Sequence, residues 1–252
     1  MASIVTARFD QNNNRPLWKE RTFISMRPVE YAGASAYSAY RSPRSRRLRI
    51  EPSASVGKRI FDIVVASTAL LFFAPLLIAV AVVIKMTSRG PVLFFQRRYG
   101  YRNRSFKIYK FRTMRMDACD VRGVRQTVRG DSRVTAVGRI LRKTSLDEIP
   151  QLINVIRGDM SLVGPRPHVP GMLAAELPYE DLVPYYFQRH AARPGITGLA
   201  QVNGCRGSTA EPNRAISRID YDLVYIENWS LGMDIGIIAR TIRREFLSGS
   251  GF

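Results

Sequence analysis

A chain of 252 residues with 39 Lys and Arg against 20 Asp and Glu carries a formal charge of +19, and 46% of it is apolar. That length and apolar content exclude a wholly disordered chain and suit one large domain or two small ones. Two cysteines, Cys119 and Cys205, exclude a disulfide scaffold and a cysteine-based zinc cluster, while the positive excess points to phosphate-bearing partners, nucleic acid or anionic lipid.

Residues 1–57 hold ten Lys or Arg and four acids without a sustained apolar period, which reads as a basic, disordered arm. A secretory signal is not expected, because the first long apolar run starts about sixty residues in. That run, Ile63 to Ile84, is 22 residues without a charge. As a helix it matches the hydrocarbon thickness of a bilayer; the plain alternative is a soluble core helix, which seldom goes uncharged for so long. Ala74 and Pro75 lie near its middle, where proline removes a backbone hydrogen bond and crowds the preceding turn. Both flanks are basic, with Lys58 and Arg59 before it and Lys85, Arg89, Arg97 and Arg98 after it. Because positive flanks prefer the cytoplasmic side, the expectation is a re-entrant hairpin over residues 58–89, broken at Pro75 and returning to the same face.

From Lys85 to Arg115 the chain carries ten Lys or Arg and no acid, interleaved with Phe94, Phe95, Tyr99, Tyr101, Phe106 and Phe111. Cations alternating with aromatics suit a nucleic-acid surface or a membrane interface. Strands are expected around Val92–Gln96 and Phe106–Thr113, joined by a turn at Gly100–Arg104, and a helix near Val137–Arg142. A further amphipathic basic helix is expected over Leu231–Leu247, with Leu231, Ile235, Ile238, Ile242 and Phe246 at helical spacing. Packing on the domain core would explain that pattern equally well. The fold class is thus α/β, mostly helical with a small β-hairpin or sheet, with residues 90–252 as a compact body bearing interfacial helices.

The candidate chemistry lies in residues 141–167, LRKTSLDEIPQLINVIRGDMSLVGPRP. Ser145 followed by Glu148 has the form of a capping box, a purely structural account of the acid pair. The functional reading places Asp147 and Glu148 at a helix N-terminus amid Lys110, Arg112, Arg139, Arg142 and Lys143, where a carboxylate stays ionised and can ligate Mg²⁺ or attack phosphorus. Pro165 and Pro167 stiffen the backbone around Arg166 for phosphate holding. Arg193–Gly198 and Gln201–Gly204 supply a second Gly/Pro-rich loop, with Gln201 and Asn203 as candidate substrate contacts. His168 and His190 lack metal-ligand spacing, and neither a P-loop nor a G-x-G-x-x-G is present.

KRIFDIV at 58–64, the proline-interrupted apolar run, FKIYKFRTM, SLDEIPQLINVIRGDMSLVGPRP and RPGITGLAQVNG together resemble the bacterial sugar transferases, monotopic polyprenyl-phosphate phosphoglycosyl transferases. The resemblance covers roughly residues 57–250. It implies that Asp147 attacks the β-phosphorus of a UDP-sugar and releases UMP, that Glu148 assists Mg²⁺ or proton traffic, and that Lys110, Arg142 and Arg166 face phosphate. It further implies an undecaprenyl phosphate acceptor, exopolysaccharide initiation, and residence at the cytoplasmic face of a bacterial inner membrane containing anionic lipids. A homodimer is compatible with it, and nucleic acid is no partner in this reading. Residues 203–232 look most like members that handle UDP-glucose, with UDP-galactose enzymes close behind. Many members have Ser where this chain has Ala74, so the bend at Pro75 lacks that hydroxyl. A basic membrane-associated scaffold or nucleic-acid binder is the alternative, and it predicts no turnover of a UDP-sugar.

Overall fold

The computed structural model describes residues 51–116, 130–207 and 209–248. Nearly all of the expected arm, along with Cys119 and the loop around Gly123, lies outside the described residues.

Helix α1, Val56–Thr87, is the longest element. Ser55 caps it, its Oγ accepting from the Lys58 N–H, and Ser88 ends it by returning its N–H and hydroxyl to the Ile84 carbonyl. At 1.5 Å per residue its 32 residues extend for about 48 Å. It is the one helix among the described residues long and apolar enough to cross a membrane. The interruption expected at Pro75 is absent, since the helix runs through it. A single missing hydrogen bond need not end a helix whose other backbone groups are paired.

The two ends of α1 dock on the same body. Ala66 is fully buried with Val155, Met160, Val163, Tyr225 and Ile237, and Ile84 is buried with Phe111 and Leu141. Between them Leu71 and Phe72 are 79% and 76% exposed. Between its packed ends α1 thus leaves one apolar face uncovered.

Strands β1 (Leu93–Tyr99) and β2 (Ser105–Phe111) form an antiparallel hairpin, Leu93 opposite Phe111 and Tyr99 opposite Ser105. After helix α2 (Ala136–Lys143) comes a 3₁₀ turn, Leu146–Glu148, and helix α3, Gln151–Arg157. Strand β3 (Ser161–Val163) pairs in parallel with β6 (Gly195–Thr197). Between them lie the short pair β4 (Leu173–Ala174) and β5 (Leu177–Pro178), a single helical turn α4 (Tyr179–Leu182) and a 3₁₀ segment, Tyr186–Ala191. The chain closes with α5 (Leu199–Val202), α6 (Pro212–Asn228) and α7 (Leu231–Ser248). The fold is mostly helical with small sheets.

Helix α7 buries Asp234 and Ile237 and leaves Leu231, Ile235 and Ile242 exposed. The apolar stripe picked out by helical spacing is therefore largely not the buried one. Asp234 anchors the foot of α1: Lys58 Nζ lies 2.6 Å from its Oδ2 and also donates to the Val163 carbonyl. Tyr225 and Trp229 donate to the same carboxylate. One turn on, Asp62 Oδ1 accepts from the Leu162 N–H. Arg59 donates to the Val155 and Ile156 carbonyls in the last turn of α3, where a cation is favoured by the helix dipole.

Removing one partner of a buried pair strands the other charge. Asp234→Asn or Lys58→Met is expected to destabilise the protein by about 3–5 kcal/mol, read as a lowered thermal midpoint in detergent; an unchanged midpoint would contradict the anchoring role.

Candidate active site

Three elements converge on the acid pair. On β2, Ile108 and Lys110 share a face by strand alternation; Ile108 enters the core and Lys110 reaches the 3₁₀ turn. Helix α2, capped by Thr135, directs Arg142 so that its Nε donates to Thr113 Oγ1, 2.8 Å away. The loop after β3 supplies Arg166.

Glu148 is held by two cations. Lys110 Nζ lies 2.7 Å from its Oε1, Arg166 Nη2 lies 2.6 Å from the same oxygen, and Arg166 Nη1 lies 3.3 Å from Oε2. Burial alone would push this carboxyl up, but Arg166 and Lys110 outweigh it and hold it well below the ordinary carboxylate range. Asp147 is treated differently. It is only 8% exposed, and its carboxylate takes no hydrogen bond among the described residues. Burial is the largest influence and pushes it up to about 6, with Glu148 adding to the rise and Lys110, Arg142 and Arg166 opposing it.

The expected capping box does not form. Ser145 has φ +55°, in the left-handed region, and its side chain makes no cap hydrogen bond, so Glu148 turns instead to Lys110 and Arg166. Nor is the pair in the first turn of an α-helix: α3 starts at Gln151, three residues beyond Glu148. No α-helix dipole therefore begins beside Asp147 to favour its charge, and burial raises its proton affinity against the surrounding cations. Of the five cations expected around the pair, Lys110 and Arg142 act on it. Arg112 is buried elsewhere, donating to the Arg89 and Ser88 carbonyls at the end of α1, and Arg139 and Lys143 lie on the exposed side of α2.

The two Gly/Pro-rich loops pack on each other. A Cβ on Gly195 would lie 2.1 Å from the Gly164 nitrogen, and one on Gly164 would lie 2.3 Å from the Arg193 carbonyl oxygen, so both motifs need glycine to let backbones meet. Gln201 and Asn203 are not brought to the acid pair by any hydrogen bond: Gln201 Nε2 donates to the Ile196 carbonyl and Asn203 Nδ2 to the Leu199 carbonyl. His168 and His190 are buried, and desolvation holds both below the usual imidazole range.

Arg98 was not singled out as a site residue by motif. It is half-buried, brought down to about 10 chiefly by desolvation and then by Arg166, and it feels Glu148. Its signal was membership of the acid-free run after α1, where nothing local distinguishes it from solvated neighbours.

No group of three or more His, Cys, Asp or Glu side chains among the described residues forms a metal cage. Two adjacent carboxylates, Asp147 and Glu148, are the residues that could hold a Mg²⁺, a cation commonly bound through one or two carboxylates.

Glu148, clamped by two cations, thus stands beside a buried Asp147 whose carboxylate takes no hydrogen bond among the described residues. Residues 53–248 match the family described as bacterial sugar transferase, and the chain belongs to that family. It is 54% identical over 195 residues to the exopolysaccharide production protein PSS of Rhizobium leguminosarum bv. phaseoli, covering 77% of this chain and 98% of that one. It is 49% identical over 195 residues to the undecaprenyl-phosphate glucose phosphotransferase of Komagataeibacter xylinus, covering 77% of this chain and 37% of that one. It is also 44% identical over 194 residues to an Aeromonas hydrophila protein named UDP-N-acetylgalactosamine-undecaprenyl-phosphate N-acetylgalactosaminephosphotransferase, covering 77% of this chain and 44% of that one. The chain thus spans nearly all of the first relative and under half of the other two.

Proposed function

We propose that the chain moves a hexose 1-phosphate from a UDP-sugar to undecaprenyl phosphate by two displacements at Asp147, initiating exopolysaccharide assembly. The observation that carries this reading is the unequal pair: Glu148 locked by Lys110 and Arg166, and Asp147 beside it with its carboxylate uncommitted.

In the first displacement an Asp147 carboxylate oxygen bonds to the β-phosphorus while the bond from that phosphorus to the bridging oxygen breaks. The electron pair leaves with that oxygen on UMP, and the sugar phosphate stays as an acyl phosphate on Asp147. In the second, a phosphate oxygen of undecaprenyl phosphate bonds to the same phosphorus and expels the carboxylate, giving undecaprenyl diphosphate sugar. A carboxylate approaching a diphosphate meets like charge, and Lys110, Arg142 and Arg166 offset it in a half-buried site. Glu148 keeps Lys110 and Arg166 in place between turnovers. Where Mg²⁺ is bound, Asp147 and Glu148 are the residues that would hold it, and it supplies further charge compensation on the diphosphate. Splitting the transfer lets two bulky substrates use one site in turn.

The relatives' names support this class of reaction, and they differ in the sugar named. Glucose or galactose is the sugar proposed here, from residues 203–232.

Helix α1 is proposed as the membrane anchor, lying unbroken along the cytoplasmic surface of the bilayer with its uncovered apolar face toward lipid. Its two ends pack on one body, which a straight crossing would place on opposite sides of the bilayer. The exposed Leu231, Ile235 and Ile242 of α7 suit the same interface, with Arg240 and Arg243 for anionic headgroups.

Purified protein with Mg²⁺ and undecaprenyl phosphate is expected to release UMP from UDP-glucose or UDP-galactose, and Asp147→Asn to abolish that release. Because attack requires the ionised carboxylate, and the free enzyme holds it near 6, kcat/KM should fall tenfold per pH unit below about pH 6. Normal UMP release by Asp147→Asn would overturn the assignment, and absence of turnover with any UDP-sugar would favour a non-catalytic scaffold.

Topology has a separate test. In a background lacking Cys119 and Cys205, single cysteines from Glu51→Cys and Arg89→Cys should both resist an impermeant maleimide in intact spheroplasts and react in inverted vesicles. Reaction of either one in spheroplasts would establish a crossing helix.

A further inference from the structure

The loop that presents Arg166 is fixed to an unusual degree. Four consecutive carbonyls are each held by a donor from elsewhere in the chain: Pro165 by the Gly195 N–H at 2.9 Å, Arg166 by Arg189 Nη2 at 2.7 Å, Pro167 by Arg98 Nη1 at 3.2 Å, and His168 by the Tyr99 N–H at 2.9 Å. Two of those donors are guanidinium groups, that of Arg189 buried and that of Arg98 half-buried. Backbone pairing with β1 and β6 explains the outer two contacts. It does not explain why charged side chains serve the inner two.

Arg189 is 1% exposed and Asp222, its partner on α6, is 2% exposed. Arg189 Nε and Nη2 both donate to Asp222 Oδ2, at 2.9 and 2.6 Å, and the Arg189 guanidinium stands 5.6 Å from the centre of the Tyr186 ring. If the pair served only to tie α6 to the Tyr186–Ala191 segment, well-packed apolar side chains would do as well without the desolvation of two charges. What apolar side chains cannot supply is the remaining contact, from Nη2 to the carbonyl of the residue that grips Glu148.

We propose that Arg189, oriented by Asp222, is a positioning residue for catalysis: it fixes the Arg166 backbone so that the Arg166 guanidinium meets Glu148 and the substrate diphosphate. This rests on the reading of Asp147 and Glu148 as the transfer centre. The line of contact runs from Asp222 through Arg189 to the Arg166 carbonyl, then through the Arg166 side chain to Glu148 and Lys110. Arg98, on the Pro167 carbonyl, steadies the same loop from the β-hairpin. Two prolines and these donors leave the Arg166 side chain as the loop's movable part, which is the condition for a preorganised cation at an anionic transition state. Short sequence motifs do not reveal this, because Asp222 and Arg189 lie 33 positions apart and neither touches the acid pair.

The test uses the full-length protein in detergent or nanodiscs and a double-mutant cycle on UMP release. Asp222→Asn and Arg189→Lys are each expected to lower kcat/KM by about 10–100-fold in the wild-type background and by less than about 3-fold in an Arg166→Ala background, because they act through Arg166. Equal losses in both backgrounds would mean a merely structural role and overturn the proposal. Asp222→Glu, which keeps the charge, should recover part of the loss. A second readout needs no activity: the Tyr99 and Gly195 amides, which donate into the loop, should exchange hydrogen faster in both variants, while amides along the β-hairpin distal to Tyr99 keep their rates. Unchanged exchange at Tyr99 and Gly195 would also overturn the proposal. If Asp222→Asn does not fold, Arg189→Lys, which retains the cation for Asp222, is read alone in both assays. Wild-type protein that releases no UMP from any UDP-sugar would count against the transfer reading, while the exchange measurement still decides whether Arg189 fixes the loop.

Discussion

The contact between Lys58 and Asp234 sets how the long apolar helix α1 sits on the other described elements. Its 2.6 Å ion pair joins the first turn of α1 to α7, and the same two side chains take in the Val163 carbonyl, Tyr225 and Trp229. Four elements therefore meet at one buried charge pair. Arg59, the next residue, grips the last turn of α3, and α3 begins just after the acid pair. The foot of the apolar helix and the catalytic turn are thus separated by one short helix held at its far end. On the proposed function, a lipid-borne phosphate and a soluble nucleotide need a site at a fixed depth relative to the bilayer, and this arrangement would supply it.

Electrostatics then divides the labour between two neighbouring carboxylates. Both are removed from water, which disfavours charge on each. Glu148 receives both nearby cations in direct contact and stays ionised; Asp147 receives them at longer range and is left with its proton affinity raised. Two acids with separated environments are suited to two roles. The cations do not belong to Glu148 alone, because an incoming diphosphate presents the same charge to them. On the other side, Arg166 is presented by a loop whose carbonyls are tied down before substrate arrives, so that little reorganisation remains for the reaction itself.

The elements with strong periodic or compositional signals were legible from residues alone. The uncharged run Ile63–Ile84 became the interior of α1, the strand pair lies within a few residues of its expected place, and the acid pair, Lys110 and Arg166 do meet. What was not legible depended on distance or on local backbone. Lys58 and Asp234 lie 176 positions apart, and a lysine ahead of an apolar run looks like a membrane flank until its partner is seen. The pattern Ser145–Glu148 fits a capping box in letters, yet a left-handed φ at Ser145 turns its side chain away from that role. Arg112 sits two residues from Lys110 and faces the end of α1 instead, because strand alternation stops at Phe111 and the chain turns there. Pro75 was expected to break α1 and does not, and on α7 the buried residues Asp234 and Ile237 fall off the stripe that spacing favoured.

The central claim is that Asp147 carries the phosphosugar between its donor and the lipid. The most direct measurement is to incubate the protein with a UDP-sugar labelled at the β-phosphorus, without lipid acceptor, and to map the protein-bound label by peptide. The account predicts close to one label per chain on the peptide containing Asp147, lost on addition of undecaprenyl phosphate. UMP formed only when the acceptor is present, with no label on the protein, or label on any other side chain, would contradict it.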